Sequence, residues 1–151
     1  MQRNRYGLAI RGLIVLAGLN AWLAYPALGS EQGDVKEWLR QKYDRVNPLF
    51  AQMRTLREQG QLAEARTVAF QMIQAAEEEF GPDVMYIFEG RLTIGESYAA
   101  EQRYTEADEV FQRLLTRLEE LSRSDMEDMG KVMVTGLFID YSRKIAAHYK
   151  A

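Results

Sequence analysis

The residues of this 151-residue chain best suited to chemistry are one histidine, several groups of acids and three spaced methionines. The sole histidine, His148, stands near the C-terminus, and no serine or cysteine pattern accompanies it. A catalytic base needs a shaped pocket around it. We therefore interpret His148 as an exposed terminal residue.

Acidic side chains form short runs at 77–79 and 119–120, and again at Asp125, Glu127 and Asp128. A carboxylate pair for acid–base catalysis must face one pocket, and a calcium loop needs oxygens at alternating positions around a glycine turn. None of the runs has such a spacing, so we interpret them as solvated helix faces and first turns of helices. The sequence therefore predicts no catalytic residue, no metal site and no cofactor, and the chain is not expected to be an enzyme.

Met126, Met129 and Met133 have the spacing of one stripe along a helix. Thioether sulfurs bind Cu(I), so a periplasmic Cu(I)-handling protein is one alternative function. Methionine is also an ordinary core residue, and no cysteine or nearby histidine completes a copper site. Core packing or contact with a partner is the preferred interpretation.

The first 29 residues differ in character from the rest of the chain. Three arginines and no acid surround the start of a compact apolar segment, and Ala27 and Gly29 are small residues placed for a cut before Ser30. This layout is typical of a secretory signal peptide. The alternative is an uncleaved anchor, because the apolar segment is only slightly shorter than the roughly 20 residues that span a bilayer.

Export is expected in either case. A cleaved chain would be periplasmic or secreted, and an uncleaved one would be anchored in the inner membrane as an assembly factor of an envelope complex. Removing residues 1–29 takes away three arginines, so the formal charge becomes −3 − 3 = −6. Such an acidic chain has no basic stripe for nucleic-acid phosphates, and its lack of cysteine excludes disulfides and thiol chemistry.

The rest of the sequence predicts an all-helical fold of six helices joined by short turns. Their ranges are 34–46, 48–59, 62–80, 82–101, 104–121 and 124 to the C-terminus. Asn47 and Pro48 are predicted to end the first helix and start the second, because Asn favours the N-cap and proline the first helical position. The predicted organisation is a signal segment at 1–29, an N-terminal helix at 30–47 and a helical domain at 48–151.

One short pattern occurs twice, as GQLAEA at 60–65 and QRYTEA at 102–107, an interval of 102 − 60 = 42 residues. Each copy is a polar turn that opens an amphipathic helix. A helix–turn–helix unit that recurs at a fixed period is typical of helical repeat arrays. The sequence therefore predicts two equivalent helical hairpins.

The second unit resembles the tetratricopeptide repeat at its signature positions, which are Ile94, Gly95, Tyr98, Tyr104, Ala107, Phe111 and Leu115. The interval and the segment EEEFGPDV at 77–84 resemble the kinesin light chain variety of that family. Met53, Ala69 and Arg91 depart from its pattern. The resemblance covers residues 48–121 and implies an α-solenoid of two hairpins with an extra helix at each end, in which Gly95 and Ala107 allow close helix contact.

The resemblance also implies a non-catalytic scaffold or adaptor that binds a segment of another protein in a concave groove. The family's register places six residues there: Phe50, Arg54, Arg57, Leu92, Glu96 and Ala99. The two arginines lie on one side of a helix and predict a local positive site for an acidic segment. Thr93 and Ala100 stand where carboxylate-clamping members have Asn and Lys, so no such clamp is expected.

The last predicted helix contains an apolar segment, VMVTGLFIDY, at 132–141. This segment either lies in a groove between other elements or forms an interface with a partner or a second copy of the chain, as in a homo-oligomer. The candidate interface residues are Val132, Val134, Leu137, Phe138 and Tyr141. Membrane contact is expected only if the N-terminal helix is retained.

Overall fold

The computed structural model describes residues 32–124 and 128–149. Within these ranges the chain forms five helices and no strand: α1 (Gln32–Glu58), α2 (Leu62–Phe80), α3 (Met85–Ala100), α4 (Tyr104–Arg123) and α5 (Asp128–His148). The all-helical fold class is confirmed. Each helix packs on the next along the chain, and α5 also reaches α3. The predicted signal segment, and Met126 of the methionine stripe, lie outside the described residues.

Helix α1 is continuous across Asn47 and Pro48, where the sequence predicts a break. A proline inside a helix removes one backbone hydrogen bond and destabilises it. Tertiary contacts on both sides offset this cost, since Val46 and Met53 are fully buried. The Tyr86 hydroxyl also donates a 2.6 Å hydrogen bond to Asn47 Oδ1. Asn47 is thus held by α3 and caps no new helix, so the predicted helix boundary is wrong.

The core consists of two hydrophobic clusters that share one helix. The first joins α1, α2 and α3 around Met53, Met72 and Ile87. The second joins α3, α4 and α5 around residues such as Leu114 and Tyr141. Helix α3 contributes to both clusters and is buried on nearly every side. It is therefore the central helix, and most of its residues are buried.

The recurring sequence pattern folds into the same turn twice. Gly60 and Gln102 both have left-handed backbone, with φ of 75° and 61°. The residues after them, Gln61 and Arg103, have nearly equal angles, with φ −82° and ψ 65° against φ −87° and ψ 64°. Each of these two amides donates to the carbonyl five residues earlier, at 2.9 Å in both cases. The α1–α2 and α3–α4 connections are therefore equivalent Schellman turns.

The two turns provide a matched pair of variants, because only one has glycine at the left-handed position. For a residue with a Cβ this conformation costs about 1–2 kcal/mol. We expect Gly60→Ala to lower the free energy of unfolding by about 1 kcal/mol and Gln102→Gly to raise it by up to about 1 kcal/mol. Chemical denaturation measures both, and a change of the same sign in the two variants would contradict this account of the turns.

The two helix pairs place their large and small side chains in opposite ways. In α3–α4, a Cβ added at Gly95 would lie 2.2 Å from Cε1 of Phe111, so the ring rests directly on the glycine. The positions 95 − 42 = 53 and 111 − 42 = 69 of the first pair hold Met53 and Ala69. Both are fully buried. In the first pair the larger residue, Met53, is on the first helix, whereas in the second pair the larger residue, Phe111, is on the second helix. Met53 and Ala69 both depart from the repeat pattern, and their changes in volume offset each other.

Candidate functional site

Side chains from three alternate helices meet on one side of α3. We call this group the central polar cluster, and its members are Arg57 of α1, Glu89, Thr93 and Glu96 of α3, and Tyr141 and His148 of α5. The three α3 residues are spaced by four and three positions, which places them on one side of the helix. Helices α2 and α4 contribute no member. The cluster marks the side of the molecule that the first, third and fifth helices share.

Arg57 holds the cluster together from the α1 side. Its Nη1 lies 3.4 Å from both Glu89 Oε2 and Thr93 Oγ1. Its Nε lies 3.6 Å from Glu96 Oε2. The side chains of Arg57, Glu89 and Glu96 are 27%, 18% and 14% exposed. Because these charges are largely withdrawn from water, their attraction is stronger than that of a surface ion pair.

Helix α5 closes the cluster from the other side. The hydroxyl of the buried Tyr141 donates a 2.7 Å hydrogen bond to Glu89 Oε1. Burial, and next the Glu89 carboxylate, raise the pKa of Tyr141 above its ordinary value, so the hydroxyl remains a donor. His148 Nε2 lies 3.9 Å from Glu96 Oε1, and its ring stacks on Phe111 with 6.1 Å between centroids. His148 is thus partly buried, which corrects its expected exposure.

Two of the six predicted groove residues, Arg57 and Glu96, come together in this cluster. Arg54 lies one turn before Arg57 and is exposed, with a 3.3 Å ion pair to the glutamate four residues on. Phe50 is half-buried and packs edge-on against Tyr86, with 5.2 Å between ring centroids. These four residues follow one side of α1 and the facing side of α3.

The other two predicted groove residues, Leu92 and Ala99, belong to the core. Leu92 is 0% exposed and Ala99 is 9% exposed, and both lie in the second hydrophobic cluster. The reason is that α3 is covered on several sides, so an apolar position on it is not free to contact a partner. The prediction that Leu92 and Ala99 line the groove is therefore corrected, because both residues belong to the core. The expected positive site is not formed at Arg57 either, because two carboxylates already share its charge.

The apolar segment 132–141 is divided between core and surface. Val134 and Tyr141 are 2% and 0% exposed and lie in the second hydrophobic cluster, with Leu137 and Phe138 packed partly against it. Val132, by contrast, is 72% exposed. One side of α5 therefore docks on its neighbours. Val134 and Tyr141 are therefore core residues, and their prediction as interface residues is corrected.

Glu89 and Tyr141 are cluster members that were not predicted as polar contacts. The sequence carries one signal that could have found Glu89. The helix around it is apolar on most faces, and Glu89, Thr93 and Glu96 are polar residues at helical spacing within it. Acids on an otherwise buried helix need partners, and this need indicates a polar contact with neighbouring helices. The identity of those partners depends on how the helices pack, which the spacing does not show.

Glu96 gives the cluster a pH dependence. Burial raises its pKa above the ordinary value of 4.5, against the opposing effect of Arg57. The folded state therefore binds this proton more tightly than the unfolded state does. The contribution of Glu96 to stability is constant below both its unfolded and its folded pKa. It is lost as the pH rises from the ordinary pKa of the unfolded chain through the raised pKa of the folded chain. The ionised Glu96 thus weakens the fold at neutral pH relative to mildly acidic pH.

Glu96→Gln should remove this effect. We expect a higher melting temperature than the parent at pH 7 and a difference close to zero at pH 4, where the glutamate of the parent is itself protonated. Thermal melts across this pH range measure the difference. Glu109→Gln, at a glutamate whose side chain is 63% exposed, is the matched control and should show no such trend. An equal rise in melting temperature at pH 7 and at pH 4 would contradict the role given to the ionisation of Glu96.

A surface depression of about 590 Å³ lies apart from the cluster and shares no residue with it. It is lined by Pro82, Arg91, Gln112, Arg113, Thr116, Arg117 and Glu120. Its arginines have carboxylate neighbours, and Arg117 makes two 2.7 Å hydrogen bonds to Asp83. The depression therefore does not concentrate free positive charge, and it is a weaker candidate for a binding site than the central polar cluster.

Among the residues that the structure describes, no three His, Cys, Asp or Glu side chains form a group that could hold a metal ion. In the same part of the chain, no helix combines the length and the apolar character needed to cross a bilayer. Comparison with protein family models, characterised proteins and solved structures found no match.

Proposed function

We propose that this protein is a non-catalytic interaction module that holds a segment of another protein on the side shared by α1, α3 and α5. The central polar cluster is the observation that supports this proposal most. It joins three alternate helices on one side, as expected for a tetratricopeptide-like array in which the first helix of each pair lines the concave surface. In this interpretation α5 is the first helix of an incomplete third unit.

The equivalent turns also favour a repeat array. Gly60 and Gln102 connect the two helix pairs with the same backbone geometry, and the second pair achieves close approach through Gly95. A binding face built on such an array is rigid, because its side chains project from helices rather than loops. A rigid face loses little conformational entropy when a peptide segment binds.

The proposed face offers an exposed cation, Arg54, beside a set of charges that pair with one another. Arg57 is engaged by Glu89 and Glu96, whereas Arg54 is 52% exposed and paired only within its own helix. An acidic group of the partner would therefore be held at Arg54. The neighbouring half-buried ring of Phe50 provides an apolar contact beside it, with 5.9 Å between the Arg54 guanidinium and the ring centroid.

A pair of charge reversals tests the proposed face. Arg54→Glu should weaken partner capture mainly through slower association, since rim charges act chiefly on the association rate. Arg113→Glu is the matched control, because Arg113 is 77% exposed, also forms an i,i+4 pair, and lies on α4. Partners are identified by crosslinking in the cells that express the protein, and recovery is compared among parent and variants. Equal recovery with all three folded proteins would count against this face.

We also propose that the module acts in the bacterial cell envelope after export. The basic start, the apolar segment and the pair Ala27 and Gly29 support a cut before Ser30. The intact mass of the protein recovered from the envelope tests this directly. A chain that starts at Ser30 supports a periplasmic or secreted module. The full-length chain in the membrane fraction would instead support a tethered assembly factor.

A further inference from the structure

Glu96 has only distant partners for its charge within the central polar cluster. Its side chain is 14% exposed, and Arg57 Nε lies 3.6 Å from its Oε2. His148 Nε2 lies 3.9 Å from its Oε1 and carries a charge only when it is protonated. Both distances exceed the roughly 2.7–2.9 Å of a charge-assisted hydrogen bond. The carboxylate is thus largely withdrawn from water, and neither of these neighbours gives it a close donor.

The charged side chains around Glu96 include one carboxylate more than cations. Arg57 faces both Glu89 and Glu96, at 3.4 Å and 3.6 Å. Lys144 of α5 also acts on Glu96, but Asp140 engages it at 2.8 Å. These two cations therefore serve three carboxylates, and the pair on α3 shares a single guanidinium.

The uncompensated charge falls on Glu96 rather than on Glu89. In addition to its contact with Arg57, Glu89 accepts a 2.7 Å hydrogen bond from the hydroxyl of Tyr141. At Glu96, burial raises the pKa, and Arg57 opposes this effect only in part. The ionised Glu96 therefore weakens the fold at neutral pH. Groups that cost stability in this way are concentrated at functional sites.

The position of Glu96 relates its charge to the proposed partner. Glu96 lies on the side shared by α1, α3 and α5, which is the proposed binding face on grounds of repeat geometry, independently of charge. A cation of the partner that reached Glu96 would compensate the carboxylate that Arg57 serves only in part. A guanidinium suits this position better than an ammonium, because it is more weakly hydrated and its planar fork binds a carboxylate with two donors.

We infer that Glu96 is a specificity residue of the proposed binding face and that it receives an arginine side chain of the bound partner segment. This inference rests on the proposed function and adds the chemistry of the partner. Arg54, which suits an acidic group, lies three residues before Arg57, or about 4.5 Å along α1. The favoured segment therefore carries an acidic and a basic side chain close together. A uniformly acidic segment is disfavoured, because Glu96 repels it.

Two small probes test this inference without knowledge of the partner. Acetylarginine amide and acetylcitrulline amide have nearly the same shape, but only the first is charged. In the full chain labelled with ¹³C at glutamate carboxyl groups, the NMR signal of Glu96 is assigned by its loss in Glu96→Gln. At pH 7 we expect the arginine probe to shift this signal at least about 5-fold more than the citrulline probe does, since a largely buried carboxylate attracts a cation strongly. A response to the arginine probe no larger than that of Glu109, which is 63% exposed, or equal responses to the two probes, would overturn the inference.

Partner capture by crosslinking provides the second readout. Glu96→Gln keeps the shape of the side chain and should raise the melting temperature at pH 7, so unfolding cannot explain a loss of capture. We expect this variant to recover the partner at least about 10-fold less than the parent does, and Glu109→Gln to recover it equally. A loss of recovery with Arg54→Glu but not with Glu96→Gln would overturn the inference and retain the proposed binding face. Unchanged recovery with both variants would overturn the inference and the proposed function together.

Discussion

Gly95→Leu is expected to unfold the protein or to lower its free energy of unfolding by about 3 kcal/mol or more. A Cβ at this position would lie 2.2 Å from Cε1 and 2.6 Å from Cδ1 of Phe111. Both residues are inside the packed core, where the ring is 2% exposed. A dense core accommodates added volume only by moving side chains or backbone, which costs about 1–3 kcal/mol and occasionally more. Chemical denaturation measures the loss.

Two further variants make this prediction specific. Gly136→Leu makes the same change on α5, where the space is open, and should not destabilise the monomer. Gly95→Met combined with Phe111→Ala places the large residue on the first helix and the small one on the second, as Met53 and Ala69 do in the first pair. We expect this double variant to recover a large part of the stability lost by Gly95→Leu. Equal stability of Gly95→Leu and Gly136→Leu would contradict the packing described for α3 and α4.

Arg57→Glu is expected to have the second largest effect, a loss of about 2–4 kcal/mol in the free energy of unfolding. The change removes the positive charge that Glu89 and Glu96 share and adds a third carboxylate beside them. All three positions are less than one third exposed, so water screens the repulsion only in part. The loss should become smaller at acidic pH, where Glu96, whose pKa is raised by burial, is protonated. Denaturation at pH 7 and pH 4 measures both effects.

Arg54→Glu is the natural comparison for this variant. It makes the same substitution one turn earlier on α1, at a side chain that is 52% exposed and makes a single surface ion pair. Such pairs contribute about 0–1 kcal/mol, so its effect on stability should be small. Glu89→Gln together with Glu96→Gln should restore part of the stability of the Arg57→Glu chain. Similar losses for Arg54→Glu and Arg57→Glu would mean that the central polar cluster contributes little to the fold.

The helices and their turns were predictable where local chemistry decides them. Gly60 and Gly81 mark ends of helices that the structure also shows, because left-handed backbone favours glycine. The predicted helix break at Pro48 is wrong, because the local preference of proline for a helix start is overridden by contacts of its neighbours with α2 and α3. Local preferences are weak compared with the burial of residues such as Val46 and Met53.

The site was predictable only in part because it depends on packing between distant helices. The register of the repeat predicted Arg57 and Glu96, and these two residues do meet. It also selected Leu92, which the structure places in the core. Apolar spacing on α3 cannot show which side remains open, because the helix is apolar nearly all round. Tyr141 joins Glu89 across 52 residues of sequence, and no local pattern specifies such a contact.

We propose that a partner protein binds on the side shared by α1, α3 and α5. The most direct test is a photo-crosslinking amino acid placed at position 54 of the full chain and, in a separate variant, at position 113. Irradiation of the cells that express the protein should give a covalent adduct with another protein from position 54 and none from position 113. An adduct from position 113 alone, or from neither position with both chains folded, would contradict the proposed binding face.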